Sequence, residues 1–213
     1  MAAGADLPAR VSRKCNLQIF ISWKPEMISE SQMPAAGLRR PGDIPVAHTP
    51  RGGYGATFPE PVLAGCHEPL AAGAPDLRGL WQVTKVEVKG VPAPKTHSAY
   101  RHFERIEQCG DRIVITGSGI IHDMRCDGTI EHGVNDVAAR DFKTRIRVTA
   151  AYENGVHVLR PTGMLIRLMV LLRGYSPVIT RRRDGADMIW EYTNFTARLR
   201  RIGGPETQPP QPQ

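Results

Sequence analysis

The sequence predicts an all-β chain: an antiparallel up-and-down β-barrel behind a largely irregular N-terminal extension. Three observations predict it. Short β-branched segments of alternating polarity recur from residue 77 onward. They are separated by Gly110-Asp111, Asp127-Gly128, Asn154-Gly155 and Asp184-Gly185, pairs that tolerate the positive φ of tight hairpin turns. No strong amphipathic helix lies between them, which disfavours a parallel α/β sheet.

The extension comes first in the chain. Of 21 Gly and 18 Pro, 18 residues fall within 1–76, and prolines from Pro34 to Pro75 interrupt every candidate element. The stretch 37–56 buries too little apolar surface to offset its ordering entropy. Residues 57–72 are more apolar and read as an arm lying across the domain. Met33 begins a plainer stretch, and residues 1–32 read as an extension upstream of the true start. The N-terminus lacks a continuous apolar run before a small-residue cleavage site, so a cytoplasmic address is expected. Cys15, Cys66, Cys109 and Cys126 contain no CxxC pair, which argues against a zinc ribbon. Free thiols follow from a reducing compartment, with a Cys109–Cys126 bond as the alternative.

The barrel is read over 77–202. A first strand runs from Gly79 to Lys89 and ends at the Gly90–Pro94 cluster. His102–Cys109 and Arg112–Thr116 flank Gly110-Asp111. Ile120–Arg125 is expected to pair through Asp127-Gly128 with Thr129–Val134. Ala138–Phe142 allows one helical turn. Thr144–Tyr152 and Val156–Arg160 flank Asn154-Gly155. Met164–Leu172, apolar except for Arg167, reads either as a strand buried on both faces or as a short helix. Val178–Arg183 and Met188–Trp190 flank Asp184-Gly185, and a last strand continues through Tyr192, Phe195 and Leu199 to Ile202. The tail, 203–213, is disordered by composition.

Several function classes are disfavoured. No run nears the ~20 apolar residues that span a bilayer, so no integral membrane association is expected. The formal charge of +7 lies wholly in residues 77–213 and reads as solubility. Arg181-Arg182-Arg183 reads as a solvated basic tip. No aromatics are interleaved with it for base stacking, and no nucleic-acid partner is expected. There is no nucleophile elbow, P-loop or dinucleotide fingerprint. Ser118, between two glycines, reads as a turn residue.

Gly79-Leu80-Trp81 opens the first strand, and Arg198-Leu199-Arg200-Arg201 lies near the end of the last. In a closed barrel those strands are neighbours, and an arginine can stack on the indole. With Ala74–Arg78 as a closing turn, residues 74–202 resemble the calycin superfamily of lipocalins and fatty-acid-binding-protein-like barrels, and lipocalin-like proteins of actinobacteria. The resemblance implies a barrel holding a small apolar or amphipathic ligand, with Arg198 or Arg200 packed on Trp81.

Trp81, Trp190, Tyr192 and Arg198 are therefore the candidate ligand-binding residues. The alternative is an isomerase, cyclase or lyase on the same barrel, using His122 and His132. These flank Asp127-Gly128 as expected cross-strand neighbours, near Asp123, Glu131 and Asp136. Two histidines fall short of a metal site, and no metal or cofactor is expected. A haem needs an axial ligand, and no histidine follows His157. A non-catalytic binding protein is the leading reading. Nothing in the sequence sets the oligomeric state.

Overall fold

Alternation of apolar and polar side chains makes β1 (Gly79–Val88), and the Val91–Pro92 pair, β2, folds back on it. In the computed structural model, which describes residues 39–163, 172 and 177–210, nine further strands follow. They are β3 (Phe103–Cys109), β4 (Arg112–Gly117), β5 (Ile120–Arg125), β6 (Val134–Val137), β7 (Arg145–Glu153), β8 (Val156–Pro161), β9 (Ile179–Asp184), β10 (Asp187–Glu191) and β11 (Thr196–Gly203). All belong to one antiparallel sheet in the order β5-β4-β3-β1-β11-β10-β9-β8-β7-β6, with β2 paired to β1 off this path. The expected antiparallel up-and-down β-barrel is the fold observed. It is nearly closed: β1 joins β11, and the remaining seam lies between β5 and β6. Residues 1–38 and most of the apolar segment 164–172 lie outside the described residues. Among the described residues no helix is long and apolar enough to cross a membrane.

The hairpins follow local chemistry. Asn154 and Gly155 take φ of 51° and 77° between the paired residues Glu153 and Val156, as a tight turn requires. Asp184 pairs with Asp187 around Gly185, and Cys109 with Arg112 around Gly110-Asp111. Two expectations are corrected. The hairpin about Asp127-Gly128 does not form. Instead the Gly128 amide bonds the Ala150 carbonyl, drawing this loop onto β7 and delaying β6 to Val134. The last strand is also broken, because the Tyr192 amide bonds the Phe195 carbonyl and reverses the chain between β10 and β11.

Inside the barrel, Leu77, Trp81, Val83, Ile106, Ile113, Met188 and Leu199 form the main core. Gly79 serves its closure. A Cβ there would meet the Gly203 carbonyl at 2.8 Å, so the position lets β11 approach β1. The Trp81 indole is fully buried and donates to the Leu77 carbonyl at 2.7 Å.

A second apolar cluster forms on the outer face. Ile44 and Leu63 of the arm cover Cys109, Val114 and Ile121. The arm is longer than the expected 57–72: residues 39–75 have little regular structure, and barrel side chains satisfy several of their backbone groups. The Arg112 guanidinium donates to the carbonyls of Pro41, Ile44 and Pro45. Asp123 accepts from the Ala47 amide, Glu107 from the Leu63 amide and Asp136 from the Thr49 amide. Gln208 in the tail, expected to be disordered, exchanges two hydrogen bonds with the Phe58 backbone. A Cys66–Cys109 disulfide ties arm to barrel. This corrects the expectation of free thiols and its Cys109–Cys126 alternative; Cys126 is the free thiol among the described residues. Free thiols were the consequence expected of a cytoplasmic address, whereas such bonds persist in oxidising compartments.

Candidate functional site

The alternation of β9 creates the site. Arg181-Arg182-Arg183 is not a solvated tip: Arg181 is buried, Arg182 exposed and Arg183 half-buried, because successive strand residues face opposite sides. The two inward arginines each lie over a tryptophan. Arg183 sits 5.0 Å from the Trp81 ring centroid and Arg181 sits 5.3 Å from that of Trp190. Arg183 thus takes the place expected for Arg198 or Arg200. Arg198 instead pairs with Asp184 and Asp187 across the outer surface. Residue 198 lies one position from inward-facing Leu199 and so projects to the opposite face.

Arg181 is the centre of an interior polar cluster. Its Nε and Nη2 donate to the two oxygens of Glu104, each at 3.0 Å. Glu104 is 1% exposed. Burial raises its pKa, but Arg181 and His102 outweigh that effect and hold it at about 2. Cross-strand pairing sets His157 and Trp190 on either side of Arg181. His157 is fully buried and pushed down to about 3, first by burial and then by the charge of Arg181. It is therefore a neutral imidazole. Among the described residues, both His157 ring nitrogens, Arg181 Nη1 and Trp190 Nε1 have no hydrogen-bond partner.

An aromatic group frames this cluster at one rim. The Trp190 ring lies 4.8 Å from His102, 5.1 Å from Phe195 and 5.5 Å from Tyr192, and Tyr192 stacks on Phe195. Trp190 is thus interior, Tyr192 is a half-exposed rim residue, and Trp81 is fully buried beneath Arg183.

The two candidate catalytic histidines are not cross-strand neighbours, which corrects that expectation. His132 lies opposite Arg125, whose amide bonds its carbonyl at 2.8 Å. It is exposed and pairs with Asp127. His122 meets the Val137 carbonyl across the seam at 3.3 Å, and burial lowers its pKa. A cleft of about 300 Å³ opens at this seam, where arm residues Ile44 and Val46 face Met124, His132 and Asp136.

Glu104, His157 and Arg181 escaped the sequence reading. Period 2 runs through β3 and β9, but charged residues stand on both faces of each strand. Which face turned inward was open.

No family model matches the chain, and no curated protein matches it. Among solved structures, human cRBP IV is similar at 13% identity and a TM-score of 0.43, over 60% of this chain and 98% of that one. The REP1-NXSQ fatty acid transporter is similar at 17% identity and 0.39, over 60% and 96%. A variant of the fluorescent protein UnaG is similar at 11% and 0.39, over 59% and 96%. Likeness at this level carries no ligand across.

Proposed function

We propose that this chain is a small-molecule-binding barrel for an amphipathic ligand, with the polar head held by Arg181, His157 and Trp190. One observation carries the reading: the row of buried polar atoms without partners among the described residues. Each unmet group costs about 1–3 kcal/mol, so the row fits a ligand that satisfies it. Arg181 Nη1 and the Trp190 indole supply donors, and neutral His157 supplies one donor and one acceptor. A head with two or more acceptor oxygens matches that set, and the surrounding apolar side chains suit a hydrocarbon body. Of the residues chosen from sequence, Trp190 belongs to this site. Trp81 closes the barrel, Tyr192 borders the rim and Arg198 works on the outer surface.

Native mass spectrometry of protein purified from its own host tests the reading by identifying a copurified molecule. Arg181→Met should weaken its binding about 10- to 100-fold, the loss of a charge-assisted hydrogen bond. His122→Ala and His132→Ala should each stay within about threefold. A copurified molecule without acceptor oxygens, or unchanged affinity in Arg181→Met, would sink the proposal.

A further inference from the structure

We propose that Ser118, His102 and Glu104 form a hydrolytic relay at the aromatic rim of the barrel, acting on carboxylic esters with a short apolar acyl chain. Ser118 Oγ lies 3.0 Å from Nδ1 of His102, and Nε2 of the same ring lies 3.4 Å from Glu104 Oε2. Nucleophile, base and orienting carboxylate therefore stand in working order. Glu104 is buried and ionised beside Arg181. It favours the tautomer with the proton on Nε2, which leaves Nδ1 to accept the serine proton. The face of His102 is held by Trp190.

The Gly117-Ser118-Gly119 turn suits the task. Gly117 makes room for the imidazole, since a Cβ there would lie 3.1 Å from His102 Cε1 and 2.9 Å from the Phe103 carbonyl. Ser118 takes the left-handed φ of 50° at the hairpin tip, with its side chain exposed to an incoming molecule. A non-glycine residue held there is uncommon and is a fair pointer to function. The acyl chain would lie against Trp190, which packs on His102, and against Phe195 and Tyr192, which pack on Trp190.

In the first step Ser118 Oγ bonds the ester carbonyl carbon. His102 Nδ1 takes the hydroxyl proton, and the carbonyl pair moves to oxygen. On collapse the carbon–oxygen bond to the alcohol breaks, and the alcohol leaves with the proton from His102. Water then attacks the acyl-serine, giving its proton to the same nitrogen. The carboxylic acid departs, and the proton returns to Ser118. Water is the only co-reactant. Ser118 and His102 are the catalytic residues, and Glu104 is a positioning residue.

The test is hydrolysis of p-nitrophenyl butyrate by the full chain. Ser118→Gly keeps the left-handed turn and removes only the hydroxymethyl group. It and His102→Gln should each lower the rate roughly 100-fold or more. A fluorophosphonate should modify Ser118 in the wild type, as located by peptide mass spectrometry, and leave Ser118→Gly unmodified. Glu104→Gln should lower kcat with KM little changed, because the imidazole loses the acceptor that orients it. Wild-type hydrolysis no faster than with free imidazole at equal concentration would overturn the proposal. So would full activity in Ser118→Gly, a phosphonate attached elsewhere, or an unchanged kcat in Glu104→Gln. The Ser118→Gly and phosphonate outcomes change no residue assigned to the interior ligand.

Discussion

The Arg112–Asp123 pair under the arm and the Arg181–Glu104 pair inside the barrel are chemically alike but differ in how fully they are satisfied. Both are bidentate and buried. Arg112 places hydrogen bonds from all three nitrogens: two to Asp123 and three to arm carbonyls. Asp123 accepts the Ala47 amide as well. Arg181 leaves Nη1 without a partner among the described residues, beside an imidazole and an indole in the same state. A saturated pair is a staple: its geometry is explained by the chain it holds. An unsaturated pair has capacity left over, and that capacity is what a ligand can use.

The largest expected effect tests the staple. Arg112→Met with Asp123→Asn should destabilise the protein by about 3–5 kcal/mol in urea unfolding, because several arm groups lose their partners together. Arg181→Met with Glu104→Gln removes a pair that holds no backbone and should cost much less. Equal costs would break the comparison.

Opening the disulfide comes next. Cys66 and Cys109 are 43 residues apart, and Cys66→Ser with Cys109→Ser should cost roughly 2–4 kcal/mol. The arm should become the first site of proteolysis while the barrel resists. Simultaneous digestion of both would show that arm and barrel unfold as one.

The interior should also set the acid sensitivity. The imidazole of His157 titrates at 6.5 when free and at about 3 when buried here. The unfolded chain therefore binds the extra proton first, and stability falls as pH drops from 6.5 toward 3. Glu104 acts in the same direction at lower pH, from 4.5 to about 2. Between pH 6.5 and 4.5 the His157 share amounts to roughly 2–3 kcal/mol. In His157→Gln that slope should flatten, and an unchanged slope would mean that the histidine is not held neutral.

The smallest effect concerns barrel closure. A double-mutant cycle between Trp81→Ala and Arg183→Ala should show coupling of about 0.5–2 kcal/mol. A cycle with Arg198→Ala should show almost none, because Arg198 is paired with Asp184 and Asp187. Coupling to Arg198 in place of Arg183 would reverse the assignment of inner and outer faces on the closing strands.

What the sequence determined by itself was local. The strands and the turns at Gly110-Asp111, Asn154-Gly155 and Asp184-Gly185 were legible because alternation and tolerance of positive φ act within a few residues. The glycine and tryptophan of β1 were legible for the same reason. The tertiary structure decided which side of each strand became the inside. A period of 2 is symmetric between faces, so Arg181-Arg182-Arg183 reads identically whether Arg182 or its neighbours turn inward. It also decided the fate of the outer face. Arg105, Glu107 and Arg112 alternate like solvent-facing residues, yet all are buried, because an arm without regular structure needed partners for its own backbone. The Cys66–Cys109 bond and the Ser118–His102 contact belong to the same class. Their partners are 43 and 16 residues apart; the arm packing on the barrel brings the first pair together, and the pairing of β3 with β4 the second.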